Sequence, residues 1–150
     1  MQVAWPCHEA DRMKRITVSS GGPWEAKIGY SRAVRVGAFV QVSGTTAMTP
    51  SGLEGKGDPY AQSVQALRTI EAALHQAGAS IGHVVRTRVY VTKMEHWQEV
   101  GRAHGEVFGT VRPAMTMIEI SKLIDPDMLV EIEAEAIVPD VSSPSGEGAR

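Results

Sequence analysis

Arg112-Pro-Ala-Met-Thr-Met-Ile-Glu-Ile120, the turn Asp125-Pro-Asp127, and Met128-Leu-Val-Glu-Ile-Glu-Ala-Glu-Ala-Ile-Val138 form the stretch that decides the fold. Side chains on a strand alternate between faces. In the second run Met128, Val130, Ile132, Ala134 and Ala136 therefore share one face, and Leu129, Glu131, Glu133, Glu135 and Ile137 share the other. One face is apolar and the other carries a row of carboxylates. In the first run Ala114, Thr116, Ile118 and Ile120 lie on one side, opposite Met115, Met117 and Glu119. As neighbouring strands the two runs project Glu119 and Glu131 from the same side. The acidic row reads either as a solvated strand surface blunted with charge or as the floor of a cleft.

Outward from that pair, the 150 residues fit one domain that buries a full core without disulfides or metal. Charged residues make up 21%, the hydrophobic fraction is 43% and the net charge is -2, the balance of an ordinary globular protein. The basic residues are scattered, which argues against a nucleic-acid partner. The single cysteine, Cys7, cannot form an intramolecular disulfide. The first dozen residues lack the apolar core of a signal peptide, and no run approaches 18 apolar residues. The expectation is a cytoplasmic protein without a membrane partner.

Residues 1–13 read as an irregular arm, 14–138 as one domain, and 139–150 as a disordered tail. The ordered chain opens with a strand near Lys14-Arg-Ile-Thr-Val18, and Ser19-Ser-Gly-Gly-Pro23 supplies turn chemistry before a loop to about Ile28. Tyr30 to Val36 and Phe39 to Ser43 alternate on either side of Gly37-Ala38, the pattern of a hairpin. Thr49 to Pro59 reads as a loop. Its Gly52-Leu-Glu-Gly-Lys-Gly57 is too short for a phosphate loop and lacks the hydroxyl after the lysine. Asp58 as N-cap and Pro59 at the first helical position start a helix, with Val64, Leu67, Ile70 or Glu71, Leu74 and Ala77 on its stripe, and Gly78 ends it.

His83 to Thr92 is a strand rich in β-formers, with Val85, Thr87, Val89 and Val91 opposite Val84, Arg86, Arg88 and Tyr90. A shorter helix follows over about 95–108, with Trp97, Val100, His104 and Val107 or Phe108 turned inward. The predicted order is βββαβαββ, an α/β (α+β) fold. Two strand-helix-strand crossovers put both helices on one face of a roughly six-stranded mixed sheet. The other face is left uncovered, with Met115, Met117, Leu129 and Tyr90 or their opposite-parity neighbours on it, and subunit association is the natural way to cover it.

The five histidines form no His-x-x-x-His pair, and one cysteine cannot build a thiolate zinc site, so no metal is expected. His104-Gly-Glu106 has the His-x-Glu spacing of zinc deaminases without their Pro-Cys-x-x-Cys partner, and on an apolar stripe it reads as a packing histidine. There is no Gly-x-Ser-x-Gly elbow. Ser43-Gly44, at the end of a strand, offers backbone N–H groups to an oxygen or is simply a turn.

Several motifs, in order, resemble the RidA/YjgF family: Val42-Ser-Gly44, Thr69-Ile-Glu-Ala-Ala-Leu-His-Gln-Ala-Gly-Ala79, Val84-Val-Arg-Thr-Arg-Val-Tyr-Val91, Arg112-Pro-Ala114 and Val130-Glu-Ile-Glu-Ala134. The resemblance spans roughly residues 14–138. It implies a chorismate-mutase-like fold, a homotrimer and three inter-subunit clefts that bind a small molecule. It also implies cofactor-independent hydrolysis of reactive enamines and imines to ketone plus ammonia. By position, Tyr30 matches the cleft tyrosine, Ser43 and Gly44 match the Ser-Gly that contacts ligand, and Glu131 matches the glutamate that handles the catalytic water.

One departure stands out. The family's carboxylate-gripping arginine lies two residues after the proline of the Pro-Ala-Arg pattern, and here that position is Met115. Methionine cannot make the charge-assisted pair, and losing such bonds costs roughly 1.5–3 kcal/mol each. With Met117 it implies a greasier cleft for a less acidic ligand, or simply space filled at a subunit contact. Glu119 is a secondary candidate in the site, and Arg88 replaces the missing charge only if its face meets the cleft. A trimer that binds without catalysing, and an endoribonuclease or translation inhibitor, are the alternatives that the resemblance leaves open.

Overall fold

In the computed structural model, which describes residues 14–139, the strictly alternating run Val130–Ile137 is an inner strand of the sheet. The expected arm 1–13 and all but the first residue of the expected tail lie outside the described residues. In chain order the elements are β1 (Arg15–Val18), α1 (Pro23–Ile28), β2 (Ala33–Val36), β3 (Phe39–Thr45), β4 (Met48–Thr49), β5 (Gly52–Leu53) and α2 (Pro59–Gln76). β6 (Val84–Val91), α3 (Trp97–Phe108), β7 (Ala114–Glu119) and β8 (Val130–Ile137) complete it. Six strands form one sheet in the order β1-β2-β3-β8-β6-β7, and β4 and β5 pair apart from it. Only β6 and β7 run parallel. The fold is therefore α+β with a mixed sheet, as the pattern implied.

Both long helices lie on one face, and the apolar parity of β8 explains why. Val130, Ile132, Ala134 and Ala136 are all buried, in one cluster with Leu67 and Ile70 of α2. Val100 and Phe108 of α3 join the same core. The Asp58 carboxylate accepts from the Ala61 N–H at 3.0 Å, and the chain leaves α2 through Gly78 at φ +74°. Arg35 of β2 donates to the Ala77 and Gly78 carbonyls, both at 3.0 Å, tying the end of α2 to the sheet. At the other end buried Gln62 donates to the Asp127 carbonyl and accepts from the Leu129 N–H, both at 2.9 Å. That pair of bonds fixes where β8 begins.

Several details depart from the sequence pattern. Residues 23–28, expected as loop, form α1, which starts at Pro23 and stops at Gly29 with φ +83°. Six residues are too few to show a helical period. The small β4–β5 hairpin also lies in an expected loop, turning through Pro50 and Ser51. Trp97 does not line the inner stripe of α3: it is 55% exposed, and the stripe is Val100, Ala103, His104 and Phe108. A register shift between Val84 and Arg86 turns Val84 inward and Val85 outward, reversing the expected parity at the start of β6.

The largest correction concerns β7. It is an edge strand beside β6, not a neighbour of β8, and Met115 and Met117 pair with Thr87 and Val89, which are fully buried on the helix side. Met115, Met117 and Glu119 therefore share the helix-side face, and Glu119 does not project with Glu131. The uncovered face carries Ala114, Thr116 and Ile118 instead.

Candidate functional site

Antiparallel pairing of β8 with β6 sets Glu131 opposite Tyr90, Glu133 opposite Arg88, and Glu135 opposite Arg86 on the uncovered face. Two of the three carboxylates are spoken for. Arg88 donates to Glu135 at 2.5 Å and stands 3.7 Å from Glu133, which also accepts from the Tyr90 hydroxyl at 3.2 Å. Arg88 thus meets the acidic row, and its charge is committed to Glu135. That bond raises the Arg88 pKa, while burial and Glu133 raise that of Tyr90.

Glu131 differs from its neighbours. Among the described residues its side chain has no hydrogen-bond partner and no cation within ion-pair distance. Burial pushes its pKa above the ordinary carboxylate value, the Glu133 charge pushes it further, and Arg32 pulls it back. A half-buried carboxyl without donors holds a proton more strongly than an ordinary one.

What brings backbone against that carboxyl is an irregularity in β3. Val42 pairs with Ala134 and Thr45 with Ile132, so Ser43 and Gly44 together oppose the single residue Glu133. This is a bulge, and it keeps Val42 and Thr45 both buried on the helix side. A Cβ at Gly44 would overlap Glu131 Oε1 and lie 2.9 Å from its Cδ, so only glycine leaves room for the carboxyl where it sits. Ser43 donates its hydroxyl to the Ser31 carbonyl at 2.6 Å, which leaves the oxygen itself able to accept. Tyr30, 40% exposed, lies in the segment leading into β2.

The sequence pattern missed Arg32. Its Nη2 donates to the Gly44 carbonyl at 2.6 Å, while its Nε is buried without a partner. Burial lowers its pKa, against the attraction of Tyr30, Glu25 and Glu131. Glu25 of α1 was missed as well. This buried carboxylate accepts from both Ser19 and Ser20 hydroxyls at 2.5 Å and from the Ser20 N–H at 2.9 Å, bonds that hold its pKa low. The Ser-Ser preceding Gly21-Gly22 was the available signal.

Ser43, Gly44 and Glu131 come together in one chain, with Arg32 at their side. Met115, Met117 and Glu119 do not join them. Met115 is 42% exposed on edge strand β7, Met117 packs partly against the core, and Glu119 accepts from the Met94 N–H at 2.6 Å. His104 bonds Thr87 at 2.8 Å and stacks on Phe108 at 4.6 Å, the arrangement of a packing histidine with its pKa lowered by burial. Among the described residues no three His, Cys, Asp or Glu side chains converge on a metal position, and no helix is long and apolar enough to cross a membrane. A groove of about 370 Å³ between Thr92, Lys93, Leu123, Pro126 and Leu129 contains none of the candidate site residues Tyr30, Ser43, Gly44, Arg88, Met115, Met117, Glu119 and Glu131.

Comparison with known proteins agrees with this architecture. The family profile described as Endoribonuclease L-PSP matches residues 23–138. SCO2049 of Streptomyces coelicolor, an uncharacterized protein, is 44% identical over 119 residues, covering 79% of this chain and 89% of its own. The RutC family protein PH0854 of Pyrococcus horikoshii is 35% identical over 126 residues, covering 83% of this chain and 98% of its own. The crystal structure of Rv2704 from Mycobacterium tuberculosis, a member of the highly conserved YjgF/YER057c/UK114 family, is 51% identical with a TM-score of 0.78. It covers 83% of this chain and 100% of that one. From strand order to profile match, the observations agree that this chain belongs to the RidA/YjgF family.

Proposed function

We propose that this chain forms a homotrimer through its uncovered sheet face and that each inter-subunit cleft binds a small metabolite, hydrolysing a reactive imine or enamine to a carbonyl compound and ammonia. The observation that carries this reading is Glu131, the one carboxylate of its row without a partner among the described residues, half-buried and pressed against the Gly44 bulge. In the proposed step Glu131 accepts a proton from water as the water oxygen bonds to the C=N carbon. That proton passes to nitrogen, giving a carbinolamine. Glu131 then takes the carbinolamine hydroxyl proton and delivers it to nitrogen as the C–N bond breaks, so that ammonia leaves as the carbonyl forms. An enamine enters the same route once protonation at carbon has made it an imine. No oxidant or cofactor is required. Tyr30 and Ser43 orient the ligand.

Association is supported by the apolar side chains left on that face, with Phe39 59% and Ile137 41% exposed as a cross-strand pair. Met115 lies on the opposite side of the sheet from Glu131, so in this reading it enters a cleft only from a neighbouring subunit. The acidic row and the net charge of -2 weigh against an RNA substrate. The second reading, a trimer that binds without turnover, is favoured by Met115 standing where the resemblance implies an arginine.

Native mass spectrometry tests the assembly, and a trimer is expected. For the chemistry, the lifetime of a freshly generated imine with and without a carboxylate is followed together with ammonia release. Acceleration lost in Glu131→Gln, with the trimer intact, is the expected result. Ligand binding with no acceleration of either imine would establish the non-catalytic reading.

A further inference from the structure

Three features of Arg32 do not fit a purely structural role. Its side chain is half-buried, and it has no carboxylate within ion-pair distance among the described residues. One of its nitrogens, Nε, is buried without any partner. Its one recorded side-chain bond goes to the carbonyl of Gly44, the residue on which the Glu131 carboxyl rests. A half-buried cation without an ion-pair partner gains little stability from its charge. Its charge is the property that packing does not explain.

We infer that Arg32 is a positioning residue for Glu131: its bond to the Gly44 carbonyl fixes the bulge beneath the carboxyl and brings a positive charge to that bulge. The groups that face Glu131 are Tyr90 from β6, Glu133 from its own strand, the Ser43–Gly44 bulge of β3, and Arg32 at the entry to β2. Burial and Glu133 favour the protonated form, and Arg32 is the cation that opposes them. Arg88 does not take this part, because it is bonded to Glu135. Glu25 acts at one remove. Ser19 and Ser20 hold its proton affinity down, and its negative charge attracts the Arg32 guanidinium.

This inference rests on the reading of Glu131 as the working carboxylate, but its test does not need turnover. The test is a carbon-13 titration of the glutamate carboxyls by NMR in the full-length protein, with the Glu131 signal assigned by its loss in Glu131→Gln. In Arg32→Gln the Glu131 midpoint is expected to move upward, and in Arg32→Lys, which keeps the charge, to return most of the way to wild type. An unmoved midpoint in Arg32→Gln would overturn the inference, as would a Lys variant displaced as far as the Gln variant. Should Arg32→Gln not fold, the wild-type protein still decides. The Arg32 Nε–H resonance must shift with the Glu131 midpoint and stop doing so in Glu131→Gln, and a resonance that ignores that titration sinks the proposal. If every imine proves inert while these shifts appear, the enzymatic reading fails and the role of Arg32 stands.

Discussion

Glu25 and Glu131 both act on Arg32, and their surroundings treat them in opposite ways. Glu25 receives three hydrogen bonds from two consecutive serines, which hold its proton affinity down and make it a fixed negative charge. Glu131 receives none among the described residues, and burial raises its proton affinity. The contrast teaches that depth in the protein does not decide what a carboxylate does. Donors decide it: a carboxylate supplied with donors is structural, and one deprived of them is available for chemistry.

The most forceful way to break the contrast is Gly44→Ala. The new methyl group takes the space of the Glu131 carboxyl, and because that carboxyl ends a flexible side chain it swings aside rather than unfolding the sheet. Turnover of a responsive imine should fall about 10²–10⁴-fold, as for loss of a general base, while the unfolding midpoint stays near wild type. Glu25→Ala should do the reverse. It removes the acceptor for all three donors and is expected to lower stability in urea by at least the roughly 1.5–3 kcal/mol of one charge-assisted bond, with the Glu131 chemistry retained.

The pH dependence sharpens the same contrast. Glu25 has a depressed pKa in the folded chain, so its stabilisation is present above the unfolded carboxylate value and is lost as pH falls through the folded one. Acid titration of stability should therefore show a limb that Glu25→Gln removes. For Glu131 the sign reverses: a raised folded pKa favours folding in acid and is a burden once pH rises past it. Glu131→Gln should consequently raise the unfolding temperature slightly at neutral pH, by much less than Glu25→Ala lowers it, and the gain should vanish in acid. A gain that persists in acid would mean that charge is not its source.

Much of the frame is legible from residue order. Asp58-Pro59 and Gly78 bracket α2 because capping is a local property, and the parity of residues 130–137 assigns both faces of β8 because each position contributes independently. The site is less legible because its key features belong to pairings. Ser43 and Gly44 become a bulge only against Glu133, and Val84 and Val85 exchange faces only against Ala136 and Glu135. Placing Glu119 beside Glu131 assumed that consecutive strands are neighbours, whereas β8 inserts between β3 and β6. Arg32 carries no signal of its own, since an arginine before a strand looks like any solvated residue until a carbonyl twelve positions later closes on it.

The position of β8 also has a meaning for synthesis. Translation delivers β3 and β6 long before the strand that joins them, so the nascent chain holds two partial sheets, each with an unpaired edge, until residues 130–137 clear the ribosome. Glu131 arrives on that same closing strand. A ribosome that stalls beyond β7 therefore leaves a chain that exposes sticky edges and lacks Glu131, and one late segment completes both the sheet and the candidate site.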